Sequence, residues 1–124
     1  MIASCGKGFA DALRAARKVK KVLFMVRREY YDAIVEGRKK EEIRNPDNWQ
    51  WLLGDDPPQV AVFICGRSPA HRRWITRIYK EKPSKVLGRP VSYLGMLDLG
   101  LTSRLPENEW PCIVIELGDV YDAE

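Results

Sequence analysis

The sequence has few of the residues that build metal sites and disulfide frameworks. It contains one histidine, His71, and three cysteines at positions 5, 65 and 112, with no C-x-x-C pair. A structural zinc site needs about four Cys or His ligands, so we expect no metal. Cys65 and Cys112 lie in apolar runs, and both are expected to be buried thiols of a reducing compartment.

Long hydrophobic runs are also missing. No stretch approaches the roughly 20 apolar residues that cross a membrane, and the first 21 residues lack the apolar segment of a secretory signal. We therefore expect no membrane partner and a cytoplasmic location, and we expect no cofactor. The 124 residues are enough for one domain with its own hydrophobic core.

Positive charge, in contrast, is concentrated in two parts of the chain. The formal net charge is +4, yet residues 1–21 hold six basic residues and one acid, and residues 67–89 hold eight basic residues and one acid. The last twenty residues hold six acids and no base. A clustered basic surface favours a polyanionic partner such as RNA. The alternative is that the basic residues pair with the acidic tail.

The first 21 residues predict a basic helical extension in front of a domain that spans residues 22–124. Phe9, Leu13 and Ala16 recur at helical spacing, with basic residues around them. A transit peptide, which is also basic and poor in acids, is the alternative. An acidic protein partner for this helix is a further hypothesis about the role of the chain.

The short apolar and alternating segments predict a small mixed α+β domain. Five or six strands with two or three helices are expected, and strands this short favour closure into a barrel, which removes exposed edges. The expected segments are a strand buried on both faces at Val22–Val26, a helix at Arg27–Glu36, an extended stretch from Lys39, a second buried strand at Val60–Cys65, strands at Trp74–Tyr79 and Cys112–Leu117, and loops at Asn45–Gln59 and Lys82–Pro90. The pattern of Val91–Leu101 fits a strand or a helix.

The predicted helix has a clear apolar face and a clear end. Tyr30, Tyr31, Ile34 and Val35 recur at the spacing of one helix face. Gly37 follows where a left-handed C-terminal cap is favoured. We therefore expect the helix to pack this face on the strands and the chain to turn at Gly37.

The residues after this helix form the most specific motif in the chain. Gly37, Lys39, Glu42 and Arg44 match the pattern G-x-K-x-x-E-x-R, preceded by an apolar strand and a short helix and followed by Gly54-Asp55 before the next strand. Strand, helix, motif and Gly-Asp turn in this order resemble the signature of the ASCH family. The resemblance covers about residues 22–65.

The resemblance implies a PUA-like fold, which is a small pseudo-barrel with helices at its openings and the motif at a cleft. In this family the cleft is proposed to bind RNA or nucleotides, so the predicted function is binding of single-stranded or structured RNA. Some members are enzymes: one branch deacetylates acetylated cytidine, and a ribonuclease activity is attributed to another. A nucleoside amidohydrolase or ribonuclease is the alternative, with Lys39 and Glu42 as catalytic candidates. The deacetylating branch carries Thr where this chain has Glu42, which argues against it.

The chemistry of the motif residues suits a nucleotide. Glu42 and Arg44 share one face of an extended chain, Lys39 can turn toward that face, and Ile43 is expected to point inward. Arg and Lys bind phosphate, and a carboxylate accepts from a base amine or a ribose hydroxyl. The structural alternative is a ladder of surface ion pairs, which contribute only about 0–1 kcal/mol each.

A second candidate surface follows the basic run of residues 67–89. Its predicted RNA-binding residues are Arg72, Arg73, Trp74, Arg77 and Lys80. Cations interleaved with aromatic rings bind single-stranded RNA, because phosphates pair with the cations and bases stack on the rings. The alternative is that the rings belong to the core. The same two alternatives apply to Trp49 and Trp51. Each ring is either an anchor that packs on the barrel or a platform on which a base stacks.

Overall fold

The structure, a computed structural model, describes residues 19–89 and 111–122. Within these residues five strands form one sheet in the order β1-β3-β4-β5-β2, with β1 parallel to β3 and the other neighbours antiparallel. The strands are β1 (Lys21–Met25), β2 (Glu41–Arg44), β3 (Val60–Ile64), β4 (His71–Glu81) and β5 (Cys112–Val120). The helices are α1 (Arg28–Val35), α2 (Pro46–Trp49) and α3 (Pro83–Leu87), with a 3₁₀ segment at Gln50–Leu53.

The sheet curls into a half-barrel whose two edges are β1 and β2. The architecture is a small mixed α+β, barrel-like fold, as the sequence predicts. No helix within the described residues is long and apolar enough to cross a membrane. The predicted N-terminal extension lies outside the described residues except for residues 19–21, and Lys21 already belongs to β1. The segment Val91–Leu101 lies outside them as well.

The core lies between α1, the 3₁₀ segment and one face of the sheet. Its largest fully buried side chains include Phe24, Phe63 and Ile34. β3 is buried on both faces, as predicted, because Val60 and Val62 pack with Tyr121 on its other side. The described thiols, those of Cys65 and Cys112, are buried and free, which confirms their predicted burial.

The first strand corrects one prediction. β1 alternates strictly, with Val22 and Phe24 buried and Leu23 and Met25 exposed. Apolar composition suggests burial on both faces, but β1 is an edge strand and packs on the core with only one face.

Helix α1 ends as the sequence predicts. Gly37 has φ of 79°, a left-handed conformation that favours glycine. The turn directs the backbone N–H groups of Arg38 and Lys39 to the Ala33 carbonyl oxygen, at 2.8 and 3.0 Å. On the apolar face Tyr31 and Ile34 are buried, but Val35 is 42% exposed, so the predicted face is correct only in part.

The two predicted loops contain short helices. Pro46 and Pro83 begin α2 and α3, because proline has the backbone φ of a first helical residue and needs no N–H partner there. The Asn45 side chain accepts a hydrogen bond from the backbone N–H of Asp47 at 2.9 Å, which caps α2. Each of these prolines therefore starts a short helix inside a segment predicted to be a loop.

Strand β4 is irregular, and its pattern of residues does not predict this. Its pairing with β5 shifts register between Arg73 and Ile75 and again between Ile75 and Arg77. As a result Ile75 and Ile78, three positions apart, both pack against the core. A regular strand at Trp74–Tyr79 would alternate, with Trp74, Thr76 and Ile78 on one side. This expectation is wrong, because a β-bulge adds a residue to one strand without adding a partner on the other.

Candidate functional site

The predicted motif residues converge on the carboxylate of Glu42. The Nε atom of Arg44 donates to Glu42 Oε2 at 2.7 Å, and the Nζ atom of Lys39 lies 3.6 Å from Glu42 Oε1. Glu42 is only 6% exposed. The motif is therefore a buried ion cluster with one acid between two cations, and it differs from the exposed ladder that is the structural alternative.

Glu42 occupies the inward position that is predicted for Ile43. Glu42 pairs with Ile115, a core residue, whereas Ile43 pairs with Val114 on the opposite face and is half-buried. Burial of a carboxylate is costly unless it is paired and hydrogen-bonded. The two flanking cations satisfy this requirement. The face of β2 that points inward is therefore the face with the ion cluster, and not the face with the apolar Ile43.

Arg44 is held inside the fold by several contacts. Besides its bond to Glu42, its NH2 atom donates to the backbone carbonyl of Met25 at 3.0 Å. Its guanidinium carbon lies 4.8 Å from the ring centroid of Phe24 and 5.4 Å from that of Trp49. Because Met25 ends β1 and Arg44 ends β2, this side chain connects the two edge strands of the half-barrel.

Lys39 is the motif cation that reaches a pocket. Its ammonium group donates to the backbone carbonyl of Glu41 and lies 5.7 Å from the Tyr30 ring centroid. The same side chain lines a concavity of about 210 Å³ at the C-terminal end of α1. The lining residues are Gly37, Lys39, Lys40, Arg73, Leu117, Gly118 and Asp119. Three of them are cations and one is an acid, and we call this concavity the cationic pocket.

Arg73 of β4 also lines the cationic pocket and contacts α1. Its Nε atom donates to His71 Nε2 at 3.0 Å, NH1 donates to the Gly118 carbonyl at 3.1 Å, and NH2 donates to the Ile34 carbonyl at 3.0 Å. Burial, and then the Arg73 charge, lower the pKa of His71. A guanidinium has five N–H donors, so two remain after these bonds. Arg73 thus joins β4, β5 and α1, a role that the basic run does not reveal.

The other predicted RNA-binding residues of β4 do not form one line. Arg72 pairs with Val62 and Trp74 with Val60, on the face opposite to Arg73. The Trp74 ring is 39% exposed and meets the Tyr121 ring edge-on at 4.9 Å between centroids. Beyond the register shifts, Lys80 lies at the exposed end of the strand.

Arg77 and Tyr79 form a stacked pair on the outer part of β4. The guanidinium carbon of Arg77 lies 3.9 Å from the Tyr79 ring centroid, and NH1 lies 3.9 Å from Glu116 Oε2. Burial, and then the Glu116 carboxylate, raise the pKa of the Tyr79 hydroxyl. Arg77 belongs to the basic run and Glu116 to the acidic tail. Their contact is therefore one instance of the charge pairing that is the alternative to a polyanionic partner.

The two tryptophans of the predicted loop have different environments. Trp49 packs against the core, with its ring centroid 5.1 Å from that of Phe24, so it is an anchor. Trp51 is 49% exposed, and the Lys20 ammonium lies 5.9 Å from its ring centroid. Trp51 is therefore the tryptophan of this segment whose ring is open to a ligand.

A second pocket, of about 340 Å³, lies between the 3₁₀ segment and β4. Leu52, Pro58, Ile75 and Ile78 contribute apolar walls, and Arg77 also lines it. We call it the apolar pocket. The sequence does not reveal this pocket, because Pro57 and Pro58 fall in the predicted loop Asn45–Gln59 and the inward position of Ile78 depends on the register shifts between β4 and β5.

Comparisons of this chain with models of protein families, with curated proteins and with solved structures find no match. The resemblance to the ASCH family therefore stays a prediction that rests on the motif. Within residues 19–89 and 111–122 no group of three or more His, Cys, Asp or Glu side chains could hold a metal ion.

Proposed function

We propose that this protein is an RNA-binding or nucleotide-binding module of the ASCH type with a PUA-like fold. The observation that carries the proposal is the cationic pocket, where Lys39, Lys40 and Arg73 line one small concavity beside a single acid, Asp119. Clustered cations in a concave site attract phosphate, because low-dielectric walls focus their field. A concavity of about 210 Å³ is smaller than most ligand clefts, which span roughly 300–1,000 Å³, and it suits one phosphate or one sugar.

The buried ion cluster supports the pocket indirectly. Glu42 lies 3.6 Å from the Lys39 ammonium and holds that flexible side chain beside the pocket. Arg44 pairs with the other carboxylate oxygen, so each oxygen of the buried Glu42 faces a cation. In this proposal Lys39 contacts the ligand, while Glu42 and Arg44 position it.

The exposed cations of β4 extend the basic surface beyond the pocket. Arg77 and Lys80 are exposed, and Arg77 keeps its guanidinium plane stacked on Tyr79. These cations follow the phosphates of a bound strand in the proposed complex. If four or five phosphates are neutralised, the logarithm of the affinity for single-stranded RNA falls with the logarithm of salt concentration with a slope of about −3 to −3.5.

The decisive experiment measures the affinity of a labelled single-stranded RNA as a function of salt for two matched variants. Lys40→Ala removes an exposed cation of the pocket, and Lys85→Ala removes an exposed cation in α3. We expect Lys40→Ala to reduce the affinity and to make the slope less negative by about 0.7 to 1. Lys85→Ala should change neither the affinity nor the slope. Equal losses from both variants would show diffuse attraction, and a salt-independent affinity would overturn the proposal.

The hydrolase alternative has its own readout. Incubation of the protein with acetylated cytidine, followed by chromatography, measures any deacetylation. Under the binding proposal no product forms at micromolar enzyme. Turnover that Lys39→Ala abolishes and Lys85→Ala preserves would promote the enzyme hypothesis instead.

A further inference from the structure

The apolar pocket is a second concave surface that the motif does not involve. Its volume of about 340 Å³ falls within the range of small-ligand sites, and its walls are mainly apolar with a few polar groups. Leu52 and Pro58 form one side, and Ile75 and Ile78 of β4 form the other. A flat apolar group with a polar edge would fit such a site.

Arg77 is the cation among the residues that line this pocket. Its guanidinium is stacked on Tyr79 at 3.9 Å, and its side chain is 61% exposed. A planar cation supported by a ring on one side presents its other side for stacking. Arg guanidinium planes and aromatic rings are the surfaces on which proteins stack splayed RNA bases.

The apolar pocket and the cationic pocket are neighbours across the sheet. Leu117 lines the cationic pocket and pairs with Ile75, which lines the apolar pocket. Backbone hydrogen bonds extend this row on both sides, from the Leu117 N–H to the Lys40 carbonyl at 2.9 Å and from the Ile75 N–H to the Gln59 carbonyl at 2.8 Å. Adjacent strands lie about 4.8 Å apart, so Lys40 and Gln59 are roughly 14 Å apart, which a few nucleotides can span.

We propose that the apolar pocket binds one nucleobase of a single-stranded RNA whose phosphates contact the cationic pocket and Arg77. This inference rests on the proposed function and adds where a base is held. The charge of the surroundings favours this occupant over the apolar side chain of a partner protein, because Arg77, Lys80 and the cationic pocket all attract a polyanion.

Methyl NMR tests the occupant directly. Ile75 and Ile78 line the pocket, so their δ-methyl signals report on its contents. Ile34 lies in α1 within the core, and its signal serves as an internal reference. Titration with a short single-stranded RNA should shift the Ile75 and Ile78 signals through the ring current of the bound base. The same strand made of abasic residues should bind through its phosphates and leave these two signals in place.

Affinity measurements with a charge-preserving variant provide the second readout. Arg77→Lys retains the positive charge but loses the stacked plane, so the normal RNA should bind about 5-fold to 100-fold more weakly. Binding of the abasic strand should be unchanged. Lys85→Arg, a charge-preserving exchange in α3, is the matched control and should change neither affinity.

The outcomes separate the two proposals. If neither RNA binds, the proposed function fails and the base site fails with it. If both strands bind equally and the Ile75 and Ile78 signals stay in place, RNA binding stands and the base site is overturned. Shifts of these two methyl signals on addition of an apolar peptide, with none on addition of RNA, would identify the pocket as a protein-docking site and overturn the proposal as well.

Discussion

Arg44 donates a hydrogen bond from NH2 to the backbone carbonyl of Met25 at 3.0 Å, across the gap between the two edge strands of the sheet. The same guanidinium donates from Nε to the buried carboxylate of Glu42 at 2.7 Å. One side chain therefore neutralises an interior charge and connects the ends of β1 and β2. This double role makes Arg44 a sensitive position for stability.

Replacement of Arg44 by methionine should lower the free energy of unfolding by about 3–5 kcal/mol, because Glu42 stays buried without its closest cation. Chemical denaturation monitored by circular dichroism measures the loss. Adding Glu42→Gln to this variant should recover part of it, since an amide carries no charge. Arg38→Ala removes an exposed pair with Glu36 and should cost less than about 1 kcal/mol. Equal costs for the Arg44 and Arg38 variants would contradict the role of the buried cluster.

The lowered pKa of His71 predicts a pH dependence of stability. The folded state favours neutral His71, whose Nε2 accepts from Arg73, whereas the unfolded histidine titrates near its usual value of 6.5. Stability is therefore fully present above pH 6.5, decreases as the pH falls below it, and levels off below the folded pKa.

This chain has a single histidine, so one NMR signal reports its titration. The difference in the free energy of unfolding between the wild type and His71→Gln isolates the contribution of this group, because glutamine keeps an acceptor that does not titrate. A folded pKa at or above 6.5 would contradict the prediction.

Gly37→Ala should destabilise the fold through the backbone alone. The φ of 79° is unfavourable for residues with a Cβ atom, by about 1–2 kcal/mol, although an added Cβ would meet no atom within 4 Å. Gly37→Asn should cost less, because asparagine tolerates this conformation. Gly66→Ala, at φ 53° with equally open surroundings, is the matched control for stability. RNA binding should weaken in Gly37→Ala, because this exchange displaces Lys39, and it should persist in Gly66→Ala. The same loss of binding in both variants would argue against a link between the turn at Gly37 and the position of Lys39.

Alanine variants of the two tryptophans in residues 46–53 should differ in their effect on stability, because one ring is packed and the other is exposed. Trp49→Ala removes a ring packed on Phe24 and Arg44 and should cost about 3 kcal/mol. Trp51→Ala removes an exposed ring and should change stability by about 0.5 kcal/mol or less. Denaturation and RNA titration of both variants test the assignment, and a larger stability loss from Trp51→Ala would reverse it.

Local signals in the sequence predicted a substantial part of this structure. The helix end at Gly37, the burial of β3 and the shared face of Glu42 and Arg44 all follow from short-range rules of periodicity, capping and strand parity. These rules succeed because each depends on residues that are close together in the chain.

The remaining features depend on contacts between distant residues. Glu42 points inward because Lys39 and Arg44 neutralise it, and hydropathy alone favours Ile43 for that position. The structural role of Arg73 requires the carbonyls of Ile34 and Gly118, which are far from it in the chain. The register shifts between β4 and β5 arise from the pairing of distant residues, and no local residue signal marks them.

Those register shifts divide β4 into two half-strands that meet between Arg73 and Arg77, and we call this junction the corner. The first half pairs with β3 as far as Trp74, and the second half pairs with β5 from Arg77 to Glu81. Bulges bend a strand and increase its twist, so the corner determines how the two halves are oriented. Arg73 of the cationic pocket lies on one side of this corner and Arg77 of the apolar pocket on the other. The spacing between the pockets is therefore a property of backbone geometry, and a residue added to or removed from the corner would change which ligand length fits.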